Sequence, residues 1–275
     1  VLKQRILTAM VLVPAVAASV LLLPNAILAL LLALVVLAGA FEWARLSGIA
    51  SLRGRGLYVA LMALVLFLLQ WLRPHQEALF LVMACAALWW LSVLVGLILA
   101  KPREPFALDD FSVMQALAGV VVLAPSWVAL AELHAWPQGG PVLLLFLLVL
   151  IWVADSGAYF AGRRWGKVKL APAISPGKTR EGVYGALAGA LVCALGLVLW
   201  GPLSAINAFV VVVLCLITTF FSVIGDLFES LVKRRRGVKD SGSLLPGHGG
   251  ILDRIDSLTS AGPIFLFGLL LAGLA

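Results

Sequence analysis

Of the chain's 275 residues, 63% are apolar and 12% charged, with a net charge of +7 and three cysteines. Soluble domains carry about 45–50% apolar and about 25% charged residues, so this composition excludes an ordinary soluble domain and points to a membrane protein. Cys85, Cys193 and Cys215 sit inside apolar runs without metal-ligand spacing, which supports neither a disulfide framework nor a zinc site.

Apolar runs of about 20 residues recur along the chain, the length a helix needs to cross a bilayer. Broken at Pro, Gly and charge clusters, they predict an all-α polytopic membrane protein with about nine spans: 6–23, 25–44, 57–72, 78–100, 114–133, 141–161, 183–201, 206–232 and 257–275. VLKQRILTAM has a basic start and an apolar run, but no small-residue cleavage site with a polar segment follows; it is expected to be a retained first span. The Leu-Pro-Asn turn at 23–25 is tight enough to make the first two spans an antiparallel hairpin. Residues 1–140 are expected to be structural and lipid-facing. Residues 141–275 are expected to be catalytic, with cytoplasmic loops at 162–182 and 233–256.

Assigning alternate loops to alternate sides puts 19 of the 20 Lys and Arg on the side of the N-terminus, with Arg73 alone opposite. That asymmetry predicts a cytoplasmic N-terminus and accounts for the net charge without nucleic acid. Most of the nine tryptophans fall near predicted span ends and are expected to form an aromatic belt. The small residues of YGALAGALVCALG (184–196) are expected to let helices pack closely. His75 and His134, in loops of the opposite side, are expected to be solvated.

Carboxylates inside or beside the later spans are the informative residues. Asp155 lies in IWVADSGAYF, Asp226 and Glu229 in FFSVIGDLFES, and Asp253 and Asp256 in GILDRIDS. An Asp at mid-bilayer costs about 2.5–3.5 kcal/mol on insertion scales, so each is expected to face a cavity, a partner or an ion. Three-residue spacing puts Asp226 with Glu229, and Asp253 with Asp256, on one helix face. Two acidic faces joined by a basic loop suit a divalent cation beside bound phosphate, and hard oxygen donors favour Mg²⁺. In SPGKTREG, Ser175, Lys178 and Thr179 have the makings of a phosphate cradle, although the Walker A spacing is absent. In PGHGG the glycines allow close approach of a ligand, and His248 could bind phosphate or move a proton. Arg254, between two acids, could pair with a carboxylate or hold a lipid phosphate.

The stretch SLVKRRRGVKDSGSLLPGHGGILDRID, residues 230–256, resembles the signature of the phosphatidate cytidylyltransferases, or CDP-diacylglycerol synthases. It follows the pattern S-x-apolar-K-R, four residues, K-D, and then H-G-G-apolar-x-D-R-apolar-D. WVADSGAYFAGRRWGK and SPGKTREG are similar to that family's upstream blocks. The resemblance implies transfer of the cytidylyl group of CTP to phosphatidic acid, with Mg²⁺ required and a second cation admissible. It implies Asp226 and Asp253 as metal ligands, with Asp256 in support and Lys233 among the catalytic groups. Ser230, Lys233 and Arg234 would meet phosphates, Lys239 and Asp240 would help close the loop, and Ser175, Lys178 and Thr179 would hold nucleotide. It further implies a homodimer in the bacterial cytoplasmic (inner) membrane, with a polar cavity open to the cytoplasm and to bilayer lipid. The role of Asp155, toward metal, nucleotide or Arg163, stays open.

Two other classes fit the composition. A transporter would show inverted repeats and charges in mid-span, whereas here the acids gather on one side of the C-terminal half. A lipid-binding scaffold would explain the basic loops but not the acidic pairs beside them.

Overall fold

The computed structural model describes residues 2–99, 111–200, 208–242 and 249–273. Among them are nine helices: α1 Leu2–Leu22, α2 Asn25–Leu46, α3 Leu52–Leu72, α4 Gln76–Leu99, α5 Val113–Ala135, α6 Gly140–Trp165, α7 Arg180–Trp200, α8 Ala208–Arg235 and α9 Leu252–Leu271. Helices α2 to α9 are each long and apolar enough to cross a membrane, and Met10–Leu22 of α1 is a shorter apolar helix. The chain is an all-helical polytopic membrane protein. Helices α3 and α9 each start five residues earlier than predicted. Helix α3 begins at Leu52, where Ser51 caps it by accepting the Gly54 N–H at 3.1 Å. Helix α9 begins at Leu252, which brings Asp253 and Asp256 into its first two turns.

The loop between α6 and α7 is not a simple turn. It holds an antiparallel hairpin of β1 Lys169–Ala171 and β2 Ser175–Thr179, with Lys169 opposite Thr179 and Ala171 opposite Ser175. Thr179 then caps α7, its hydroxyl oxygen accepting the Gly182 N–H at 3.1 Å.

Helices α5 and α9 form the centre, with 61% and 56% of their spanning stretches buried, against 17% for α3 at the periphery. Helix α9 packs against α8, α5, α4 and α6, while α2 packs against α5 and α3. Trp43 and Tyr58 tie this centre together by donating to the carbonyls of Gln115 and Ala116 at 2.7 and 2.8 Å. A Cβ at Gly119 would collide with both rings, so this glycine opens the slot they occupy. Trp43, Trp90 and Trp127 are therefore core residues and not part of an aromatic belt. They are buried because α2, α4 and α5 meet there, and Phe228 of α8 stacks among Trp43, Trp89 and Trp90 at 5.8–6.2 Å. The close helix packing expected of 184–196 is found against α6, where Gly185 faces Gly157 with no room for a side chain on either.

At the end of the bundle where α2 begins, Arg73 is buried and bonded to Glu132, to Gln70 at 2.7 Å and to Asn25 at 3.3 Å. His134, expected in solvent, is buried in the same network. Its Nε2–H donates to the Val20 carbonyl at 2.9 Å, which leaves Nδ1 to accept from Asn25 at 3.2 Å. Helix α5 runs to Ala135, past the predicted span end at 133, and so carries this ring against α1.

Candidate functional site

The acidic faces of α8 and α9 meet at the opposite end of the bundle, where α8 ends and α9 begins. Gly225 allows the approach: a Cβ there would lie 2.8 Å from the Asp256 carbonyl. Ser260 fastens the crossing by donating to the Phe221 carbonyl at 2.7 Å. With the backbones this close, the two acids on each face point to different partners.

Asp226 turns toward the hairpin. Its Oδ2 lies 2.6 Å from Lys178 Nζ of β2, and its Oδ1 accepts from the Ser230 hydroxyl at 3.3 Å. Lys178 and Asp226 are 25% and 30% exposed, and both border a cavity of about 410 Å³ between α6, α7, α8 and the hairpin. Asp155, Tyr159, Arg163, Thr179, Ser222 and Ser257 line the same cavity. Its volume falls in the range usual for small-molecule sites, about 300–1,000 Å³. Asp155 thus shares the cavity with Asp226 and Lys178, whereas Arg163 bonds the Tyr159 hydroxyl at 3.0 Å.

Glu229, one turn further along α8, is buried and faces α9. Between it and Asp253 stands Lys233, whose Nζ is 3.1 Å from Glu229 Oε1 and 2.6 Å from Asp253 Oδ1. The other oxygen of Asp253 accepts the backbone N–H groups of Ser241 and Gly250 at 3.0 and 2.8 Å, and faces the Ser241 hydroxyl at 3.0 Å. Asp256 Oδ1 accepts the Ser257 N–H at 2.8 Å.

The remaining predicted residues take varied positions. Arg234 donates to the carbonyls of Ile174 and Val238 at 3.3 and 3.2 Å, which ties the hairpin turn to the end of α8. Ser175 opens β2 across from Ala171. Lys239, Asp240 and Arg254 are exposed. His248 lies outside the described residues.

Sequence reasoning missed Glu42 and Ser241. Glu42, on α2 in the half of the chain expected to be structural, is buried at 4% exposure beside the start of α9. Its Oε1 accepts the Ile251 N–H at 3.0 Å, and its Oε2 accepts the Leu252 N–H at 3.0 Å and the Ser241 hydroxyl at 2.8 Å. A lone glutamate within an otherwise apolar span was the available signal.

The carboxylate oxygens gathered here are hard donors of the kind Mg²⁺ takes. Asp226 and Asp253 each hold an ammonium at 2.6 Å, so each presents an oxygen to a cation. Glu229 Oε1 is buried with a charge partner but no aligned hydrogen-bond donor among the described residues. No group of three or more His, Cys, Asp or Glu side chains is set around one cation position among the described residues. Mg²⁺ is usually held by one or two carboxylates, with water and substrate oxygens completing its shell.

Residues 3–271 match the model of the cytidylyltransferase family. A phosphatidate cytidylyltransferase of Pseudomonas aeruginosa is 42% identical over 99% of this chain and 98% of its own length. One from Haemophilus influenzae is 37% identical over 97% of this chain and 98% of its own. A Bacillus subtilis protein of the same name is 44% identical over 54% of this chain and 57% of its own.

Proposed function

The chain belongs to the cytidylyltransferase family, and from that premise we propose that it transfers the cytidylyl group of CTP to phosphatidic acid. The products are CDP-diacylglycerol and pyrophosphate, and the step belongs to phospholipid biosynthesis. The observation that carries the reading is the contact of Lys178 with Asp226 at the rim of the cavity in a membrane-spanning bundle, with a second lysine–aspartate contact, Lys233 on Asp253, where α8 meets α9.

In this reaction a phosphate oxygen of phosphatidic acid attacks the α-phosphorus of CTP and pyrophosphate leaves. The nucleophile is already an anion, so alignment and charge neutralisation matter more than a general base. Asp226 and Asp253, with Asp256 in support, would hold Mg²⁺, which when bound supplies charge neutralisation and orientation for phosphate oxygens. Lys178 and Lys233 each exchange an aspartate oxygen for a phosphate oxygen as substrate arrives. A point charge on a flexible stem suits such an exchange. Arg234 holds the hairpin in place so that Lys178 and Thr179 stay at the cavity wall.

The proposal extends to orientation and assembly. The site faces the cytoplasm from a bacterial inner membrane, a reading supported by the 19 of 20 basic residues assigned to that side. Two copies associate as a homodimer, as the family resemblance implies. Purified protein given Mg²⁺, CTP and phosphatidic acid should release pyrophosphate. Asp226→Asn and Asp253→Asn should each slow release about 100-fold or more. Absence of pyrophosphate from the wild-type protein, or full turnover in both variants, would overturn the reading.

A further inference from the structure

Glu42 comes from the far half of the sequence, yet only the Ser241 hydroxyl separates its carboxylate from that of Asp253. That hydroxyl is 2.8 Å from Glu42 Oε2 and 3.0 Å from Asp253 Oδ2. It has one proton for two acceptors, so the two carboxylates and the serine form one unit. Glu42 also takes the first free N–H groups of α9, from Ile251 and Leu252, at 3.0 Å each. A carboxylate there satisfies donors that a helix leaves unpaired at its N-terminus, and it meets the positive end of the helix dipole.

No closer fit is possible around it. A Cβ on Gly242 or on Gly250 would collide with the Glu42 carboxylate, and one on Gly39 would lie 3.0 Å from Leu252 Cδ2. The two loop glycines and the helix glycine together let α2 come against the start of α9. The arrangement decides which face Asp253 presents. Its Oδ2 is committed to Ser241 and Gly250, so Oδ1 is the oxygen turned toward Lys233.

We infer that Glu42 is a positioning residue for the nucleotidyl-transfer site, acting through Ser241 and the first turn of α9 to fix the orientation of the Asp253 carboxylate. The inference rests on the reading of Asp253 as a cation-holding group. It gives α2 a part in the chemistry: the catalytic end of α9 is held from outside the C-terminal half. Outer groups that orient a metal-holding carboxylate typically change affinity or activity by about 10–100-fold when removed.

The test compares Glu42→Gln, Ser241→Ala and Glu132→Gln with wild type in detergent. Glu132→Gln perturbs a partly buried carboxylate in the Arg73 network and serves as the control for general loss of stability. Three quantities are read: kcat and KM for CTP by pyrophosphate release, Mn²⁺ affinity by electron paramagnetic resonance in the absence of substrate, and the thermal midpoint. Glu42→Gln should lower kcat and weaken Mn²⁺ binding by about 10–100-fold, with KM for CTP within about twofold. Ser241→Ala should shift the same two quantities in the same direction. Glu132→Gln should lower the midpoint and leave kcat and Mn²⁺ affinity as in wild type. Wild-type kcat and Mn²⁺ affinity in Glu42→Gln would overturn the inference, as would equal losses in Glu132→Gln. Should Glu42→Gln fail to fold, Ser241→Ala decides alone, and unchanged values there would overturn it. A wild-type protein that releases no pyrophosphate strikes at the assigned reaction instead, and the Mn²⁺ comparison still tests the positioning role.

Discussion

Replacing Lys233 with Met separates the two things this lysine does. The side chain is 10% exposed and stands between Glu229 and Asp253, which are 4% and 9% exposed. Methionine keeps most of the stem but takes the trio from a net charge of −1 to −2 in a buried place. Removing one partner of a buried ion pair costs about 3–5 kcal/mol, because the remaining charge is left uncompensated. In chains of about 150–250 residues each kcal/mol moves the thermal midpoint by about 2–4 °C, so the expected fall is about 6–20 °C. Adding Glu229→Gln restores the net charge to −1 and should recover a large part of that loss. Turnover should stay low in both variants, since neither offers an ammonium to phosphate. The assay is thermal unfolding of purified protein in detergent, paired with pyrophosphate release. A midpoint within about 2 °C of wild type for Lys233→Met, or a double variant less stable than the single one, would refute the charge argument.

Gly185→Leu should destabilise the protein by about 1–3 kcal/mol through overpacking against Gly157 and Ala161, whereas Gly56→Leu on α3, with nothing within 4 Å, should leave the midpoint unchanged or slightly raised. Thermal unfolding of the two variants side by side checks this. Arg234→Gln removes the two bonds that hold the hairpin turn to α8; KM for CTP should rise severalfold while the midpoint moves by less than about 1 kcal/mol equivalent, as steady-state kinetics and unfolding would report.

What the sequence made legible follows from what a one-dimensional pattern can carry. Span lengths were readable because a bilayer demands about 20 apolar residues, and nine helices are found among the described residues. The acidic pairs were readable because charge in an apolar run stands out and three-residue spacing fixes a face. Faces of the apolar helices were not readable. Lipid and protein interior are equally apolar, so Trp43 in the core and Trp71 on the surface look alike in sequence. The hairpin was missed because SPGKT has the composition of a turn and becomes a strand only by pairing with Lys169–Ala171. Glu42 was harder to read because it stands alone on its span, although the rule that singles out Asp155 applies to any acid within an apolar run.

The two ends of the bundle solve the same problem with different cations, and the difference separates scaffold from site. At one end Arg73 reaches Glu132, Gln70 and Asn25 with separate nitrogens and lies over the Trp127 ring at 5.6 Å. A planar fork held at several points is hard to withdraw, and this end has no use for a mobile charge. At the other end Lys178 and Lys233 each meet an aspartate through one nitrogen at 2.6 Å. An ammonium can leave one oxygen for another by rotating its stem, and the Lys178 contact borders the cavity from which substrate would come. The Asp226 carboxylate it would leave is 30% exposed at the cavity and keeps its negative charge without the lysine. On the proposed function a divalent ion would take the place of the lysine on Asp226, so binding of the ion and of nucleotide should reinforce each other. A lysine-to-arginine change at residue 178 would keep the charge and weaken that coupling.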